Sequence, residues 1–371
     1  MICFISERVL FIYTKTMSLQ TITYEDLIDP TKKELKSNYI RRAFGVEGLG
    51  IGLVQYPDTE TRNKALRSIY KFAKLKKCDQ KQYVDEASKY SFGWSHGVES
   101  MKSGKPDTAK GSFYLNPFSD TVPDATDKEM EKFPEIFGSN RWPDHHVPGF
   151  SKSIKDQSLV MKDIGLRICK ELDAYMSSKH GEMNLLDKLQ RCKSHKGRAL
   201  HYFPKTKTED TAVDSSIDGL CGWHLDHGFI TILGCPLFLD EEGRRIEKPT
   251  DRCGLHIKSP IDGSNVPIDI PEDCLAIQLG EMAQFFSGGH LRATPHCVAT
   301  SKKTNITREQ YVLFLDGPPG EALILPNYSK PYDEVVATPY LPPNIPLLKD
   351  RLKGTKIYRE YVKATIHAYN A

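Results

Sequence analysis

The sequence lacks several features that would place it in well-defined classes. Its apolar runs stop far short of the roughly 18 consecutive apolar residues that mark a membrane-spanning helix. It has no CxxC pair, and its nine cysteines are an odd, scattered set, which points to reduced thiols in a cytoplasmic protein rather than a disulfide framework. It also lacks a charge bias. Lys plus Arg total 51 against 48 Asp plus Glu, a net charge of +3, so no basic field argues for nucleic acid or an acidic membrane as partner. There is no internal repeat and no low-complexity tract. Residues Met1 to Lys15 are mildly apolar but are interrupted by Glu7, Arg8 and Lys15. No small-residue cleavage site follows, so residues 1–16 read as a disordered extension or a gene-model artefact rather than a secretory signal.

What is present is ordinary for a globular chain. Charged residues make up 27% and aromatics 10%, the latter too many for a disordered polymer. A length of 371 residues allows two or three small domains or one large, decorated one.

Two textures divide the chain. Residues 17–194 read as mostly helical. Leu66, Ile69, Tyr70 and Ala73 recur at helical spacing within Thr59 to Leu75, and Met161, Ile164, Ile168, Leu172 and Tyr175 do so within Ser153 to Ser178. Between them, Cys78 to Gly149 is loop-rich, with a candidate strand at Gly111 to Asn116. From about residue 195 to 325, short runs rich in Ile, Leu, Phe and Val alternate with Gly, Pro and Asp clusters. Phe229 to Leu233, Gly254 to Lys258, Cys274 to Leu279, Met282 to Phe286 and Tyr311 to Leu315 are expected strands. Asp262-Gly263 signals a hairpin. Such a rhythm predicts an antiparallel sandwich or barrel. Residues 326–371 hold a proline-rich irregular stretch and then a helix over Lys356 to Tyr369.

The β-rich part contains Trp223-His224-Leu225-Asp226-His227-Gly228. On a strand, His224 and Asp226 project to one side, as two ligands of a 2-His-1-carboxylate iron site would. The pattern alone carries no weight. With 12 His and 48 acidic residues in this length, about 1.6 His-x-acid pairs arise by chance, and the other one here, His180-Gly181-Glu182, reads as a helix end. Context separates them, because His296, 72 residues beyond His224, lies in another extended stretch. A further strand places Arg308, Gln310, Val312 and Phe314 on one face. A cation among inward apolar residues is costly unless it meets an anion; the alternative is that Arg308, at the strand start, is solvated.

These segments resemble the isopenicillin N synthase-like, 2-oxoglutarate- and iron(II)-dependent oxygenases, and most nearly their clavaminate synthase-like members. The family's H-T-D-x-G-x-x-T-L-L is matched by His224 to Leu233. Its G-D is matched by Gly280-Glu281, S-N-G by Ser287 to Gly289, H-R-V by His296 to Val298, and R-x-S by Arg308 to Gln310. Weaker similarity extends to Ala43 to Ile51 and Asn140 to Pro143. The resemblance implies a mainly β fold with flanking helices and a double-stranded β-helix, or jelly-roll, core. It implies His224, Asp226 and His296 as Fe(II) ligands, and Arg308 as the clamp on the distal carboxylate of 2-oxoglutarate, with O2 as the oxidant. The implied activity is a dioxygenase that oxidises, most simply hydroxylates, a small organic molecule. An iron oxidase that takes all its electrons from the substrate, and an inactive binding or scaffold protein on the same fold, are the alternatives.

The sequence departs from the family at named positions. Gln310 replaces the serine of R-x-S and can still donate a hydrogen bond. The upstream N-x-Y-P stretch reads His201-Tyr202-Phe203-Pro204, which puts a phenylalanine where the oxoacid-binding tyrosine is expected. Either Gln310, Tyr202 or His201 compensates, or the oxoacid is held less tightly; Gln310 and His201 join Arg308 as the expected cofactor-binding residues. Cys297 and Trp223 are expected to pack, His227 to be structural, and Cys221 and Cys235 have no four-ligand spacing for zinc. Substrate choice is expected to reside in the loops 78–149, 208–218 and 241–252.

Overall fold

The computed structural model describes residues 18–98, 107–123, 125–204, 221–250, 253–299, 301 and 303–370. The expected extension at residues 1–16 and the loop 208–218 lie outside them.

Two β-sheets enclose the centre of the protein. The larger has ten strands, and its middle runs Ile51–Gln55, Cys274–Leu279, Ile230–Gly234, Thr307–Leu315, Lys196–Tyr202 and Lys110–Leu115, with all these neighbours antiparallel. The smaller has four, in the order Asn265–Pro267, Gly254–Lys258, His296–Ala299 and Cys221–His224. Alternation along each strand gives every sheet two faces. Leu200, Tyr202, Leu233, Ala276 and Val312 of the larger sheet pack in one buried cluster with Leu255 and Ile257 of the smaller, so these side chains define the interior between the sheets.

The opposite face of the larger sheet is covered by helices. The long helix Phe150–Lys179 buries Met161, Ile164, Ile168 and Leu172 at the spacing read from the sequence, in one cluster with Ile232, Ile277 and Leu313. Its approach is close at Gly165, where an added Cβ would lie 2.5 Å from Ile232 Cδ1 and 2.7 Å from Leu315 Cδ1. The helix Thr59–Ala73 starts at Asp58, whose carboxylate accepts the N–H groups of Glu60 and Thr61 (both 3.1 Å), two of the donors a helix start leaves open.

Several expectations match this architecture closely. Gly254–Lys258 and Cys274–Leu279 have the expected bounds, Lys110–Leu115 lies one residue from its expected place, and Asp262-Gly263 sits in the turn joining Gly254–Lys258 to its antiparallel partner Asn265–Pro267. Two differ. Glu281–Phe286, expected to be a strand from Met282, is a helix closed by N–H bonds from Ala283 and Gln284 to Gly280 O. A five-residue run with a single polar residue, buried on all sides, has no period to separate strand from helix, and Met, Ala and Gln favour the helix. The first half is also less helical than its texture suggests. Gln20–Thr23, Ile51–Gln55, Gly93–His96 and Lys110–Leu115 all join the ten-stranded sheet, with Ile51–Gln55 beside Cys274–Leu279.

Candidate metal centre

The smaller sheet brings the two histidines together. His224 and His296 are directly opposed residues of adjacent antiparallel strands, so their rings share a face, with centroids 4.1 Å apart. Asp226 does not share the strand with His224 as the alternation suggested. The strand ends at His224, and the turn that follows returns the carboxylate to the pair. Asp226 Oδ1 lies 3.8 Å from His224 Nε2, and Oδ2 lies 3.8 Å from His296 Nε2. One ligand atom from each of the three lies within 4.8 Å of the others.

Each of the three candidate ligands is oriented from behind. His224 Nδ1–H donates to Gly222 O (2.8 Å), which leaves Nε2 with its lone pair directed at the site. His296 Nδ1 is hydrogen-bonded to the side-chain amide of Gln278 (2.6 Å), and Thr231 Oγ1–H donates to Asp226 Oδ2 (2.6 Å). Burial works against ionisation of Asp226, but the imidazoles of His296 and His224 and the Thr231 hydroxyl outweigh it and hold the carboxyl below its usual range. Burial and the neighbouring His224 push His296 down to about 4, against the pull of Asp226. His224 is opposed by burial too, yet Cys221 and Asp226 raise it to about 9. The cluster therefore favours one positive charge beside Asp226, the electrostatic setting a divalent cation satisfies by displacing that proton.

A second set of polar groups faces the same interior. Ile257 opposes His296 across the strand pair and packs in the cluster that contains Leu200, Tyr202 and Val312. Arg308 opposes Tyr202, and Gln310 opposes Leu200, so all four share that inner face. Arg308 is only 7% exposed, which removes the solvated alternative. Its Nη2 donates to Gln310 Oε1 (3.0 Å), and Gln310 Nε2 in turn donates to Gly234 O (2.9 Å). Nε and Nη1 of Arg308 are buried without a hydrogen-bond partner, a cost that an incoming anion would remove.

His201 is not brought to this set. It alternates to the opposite face of the strand, where Nδ1 meets the carboxylate of Glu309 at 2.9 and 3.0 Å, and both are fully buried beside Phe203. The expectation that His201 binds the cofactor is therefore corrected by strand parity. Phe203 packs away from the interior, against His96 (4.7 Å between centroids). Tyr202, one residue earlier, is the aromatic side chain on Arg308's face, with the guanidinium 4.9 Å from its ring centroid. Cys297 is fully buried and Trp223 packs near Leu225 and Ala293, as expected, and His227 lies beside Tyr361 (6.5 Å between centroids). His180 caps the long helix and stacks on His290, 3.7 Å between centroids. Thr231 is marked in the sequence only as the threonine of the family motif, and Gln278 and Gly222 not at all; register and turn geometry bring all three behind the candidate ligands.

No family model and no curated protein matches the chain in sequence. Solved structures do match in shape. A 2OG-Fe(II) oxygenase family protein from Caulobacter crescentus shares 18% identity over 95% of this chain and 99% of its own, with a TM-score of 0.68. A full-length protein from Neurospora crassa, solved in complex with alpha-KG, shares 17% over 96% and 98%, with a TM-score of 0.69. The fold is that of the 2OG-Fe(II) oxygenases. A more distant structure with this oxygenase fold is the rice dioxygenase for auxin oxidation, at 17% identity over 85% and 89% with a TM-score of 0.56. The oxygenase fold thus extends across nearly the whole chain, including the helical flank. Among the described residues, no helix is long and apolar enough to cross a membrane, and no disulfide joins the cysteines.

Proposed function

We propose that this protein is a non-haem Fe(II)- and 2-oxoglutarate-dependent dioxygenase that hydroxylates a small organic molecule. The observation that carries this reading is the pairing of a His-Asp-His cluster with a buried arginine whose Nε and Nη1 lack partners, both directed into one interior. The donor set fits Fe(II): two imidazole nitrogens and one carboxylate oxygen supply three ligands and a single negative charge, and leave the remaining positions open. The jelly-roll description is supported by the two facing antiparallel sheets, and the order of the motifs favours the isopenicillin N synthase-like branch with its clavaminate synthase-like members.

His224 Nε2, His296 Nε2 and Asp226 would hold the metal. When bound, iron and the oxoacid supply the redox chemistry, in which decarboxylation of 2-oxoglutarate gives two electrons for O2 activation and the remaining oxygen atom is delivered to a C–H bond. The protein's part is placement. Thr231 keeps Asp226 turned toward the histidines, and the Gly222 carbonyl fixes the His224 tautomer. Gln310 holds one arm of the Arg308 fork so that the other nitrogens face a carboxylate. The surrounding apolar cluster, with Leu200, Leu233 and Val312, keeps bulk water from the clamp. Arg308 also weighs against the oxidase alternative, which has no diacid to anchor. The loops 78–149 and 241–252 remain the proposed determinants of substrate choice, in a cytoplasmic enzyme of small-molecule metabolism.

Anaerobic addition of Fe(II) and 2-oxoglutarate should produce a visible charge-transfer band, and aerobic turnover should release succinate. O2 uptake with no dependence on 2-oxoglutarate would favour the oxidase, and failure to bind stoichiometric Fe(II) would leave only a scaffold.

A further inference from the structure

The turn that carries Asp226 is bonded to a segment far away in sequence. Glu281 N–H donates to Asp226 O (2.8 Å), Met282 N–H to Gly228 O (3.1 Å), and Gly280 N–H to Phe229 O (2.9 Å). The Glu281 side chain, 1% exposed, points to the C-terminal helices. Its carboxylate accepts from Nη1 (2.7 Å) and Nη2 of Arg351 on the helix Leu348–Leu352, and from the hydroxyl of Tyr361 (2.6 Å) on the helix Tyr358–Asn370. The same Nη1 also lies 3.0 Å from Tyr361 Oη and 3.2 Å from Thr365 Oγ1, and Nε donates to Pro346 O (3.2 Å). On the other side of Asp226, Leu225 N–H donates to Tyr369 Oη (3.3 Å).

Stability alone does not call for two charges buried this deeply, because a well-packed apolar pair of similar volume generally serves a fold as well or better. What the ion pair adds is direction. A guanidinium fork holds a carboxylate in one plane, and with it the Glu281 backbone whose N–H fixes the Asp226 carbonyl. We propose that Arg351 is a positioning residue for Asp226, acting through Glu281, so that the C-terminal helices belong to the metal centre without lending it a ligand. The proposal rests on the metal-binding reading given above.

The test is anaerobic Fe(II) titration of the metal-free full-length chain against a chromophoric chelator, with the Co(II) ligand-field spectrum as a second readout. The Glu281→Leu/Arg351→Met double variant should keep the thermal midpoint of the metal-free wild type while its Fe(II) Kd rises about 10- to 100-fold and its Co(II) spectrum changes. Arg351→Lys, which keeps the charge without the fork, should raise the Kd by a smaller factor. The control is Lys36→Met/Glu171→Leu, which removes another ion pair (2.8 Å, Lys36 buried and Glu171 half-buried) that joins the helix Lys33–Phe44 to Phe150–Lys179; it should bind Fe(II) as wild type does. An unchanged Kd and Co(II) spectrum in the folded double variant, or an equal loss in the control, overturns the proposal. If the double variant does not fold, Arg351→Lys decides, and a wild-type Kd there overturns it as well. If wild type takes up no stoichiometric Fe(II), the metal reading fails first and the inference goes with it, so the two failures are seen in different proteins.

Discussion

Arg308 and Tyr202 oppose each other on adjacent strands, with the guanidinium 4.9 Å from the tyrosine ring centroid, and both side chains face the interior shared with the metal cluster. The tyrosine face holds the cation in place while leaving Nε and Nη1 available. Replacing Arg308 by Ala should therefore weaken 2-oxoglutarate binding roughly 10- to 160-fold, the equivalent of losing a charge-assisted hydrogen-bonded pair worth ~1.5–3 kcal/mol. Fe(II) affinity should be unchanged. Titration of the charge-transfer band checks both numbers, and an unaltered oxoacid dependence would remove Arg308 from its role.

His201 should behave in the opposite way. It faces Glu309 on the other side of the sheet, and its loss leaves a buried carboxylate without that partner. His201→Leu is expected to cost about 2–3 kcal/mol of stability, measured by chemical denaturation. The 2-oxoglutarate Kd of the folded fraction should match wild type. A selective rise in that Kd with stability intact would return His201 to the cofactor site.

His224→Ala removes one of the three proposed ligands and the ring that stands 4.1 Å from His296. Stoichiometric Fe(II) binding should be lost, and with it 2-oxoglutarate-dependent succinate release. Circular dichroism should show the fold intact, since the side chain is partly exposed and lies at the edge of its sheet. Full succinate release by this variant would refute the ligand assignment.

His195 predicts a pH dependence of stability. Its Nδ1 accepts the Asp316 N–H (3.1 Å), so protonation of that nitrogen would break the ring's bond to the Asp316 backbone. Burial, with Lys162 adding to it, pushes the imidazole down to about 3. Between the ordinary histidine value near 6.5 and about 3, the unfolded chain takes up a proton that the folded chain refuses. Stability should therefore fall as pH drops through that window and be insensitive to this group above it. His195→Gln should flatten the slope of unfolding free energy between pH 6.5 and 4. A slope identical to that of wild type would show that other groups set the acid sensitivity.

The candidate chemistry is legible in the residues themselves. His224, Asp226, His296 and Arg308 stand out through order and spacing, because a metal and a diacid each demand specific side-chain types on short extended segments. The helices Thr59–Ala73 and Phe150–Lys179 were legible too, since one buried stripe at helical period is a property of the segment itself. The errors have a common origin. Met282 to Phe286 holds one polar residue, Gln284, too little contrast to tell a helical period from a strand's, and all five side chains are buried. Tyr202 and Phe203 are both aromatic, and which of them faces the interior depends on a register with Thr307–Leu315 that local sequence does not encode.

Residue types and their order along the chain were enough to specify a candidate donor set, a candidate anion clamp and the amphipathic helices that flank them, because each is a demand of local chemistry. Convergence was decided only by the folded chain. Strand pairing opposes His224 to His296, a turn beyond the strand end returns Asp226 to them, parity sends His201 outward and Tyr202 inward, and a salt bridge from Arg351 reaches the backbone behind the carboxylate. These are contacts between residues tens to more than a hundred positions apart, and their geometry comes from packing and hydrogen-bond register rather than from any property of the segments taken singly.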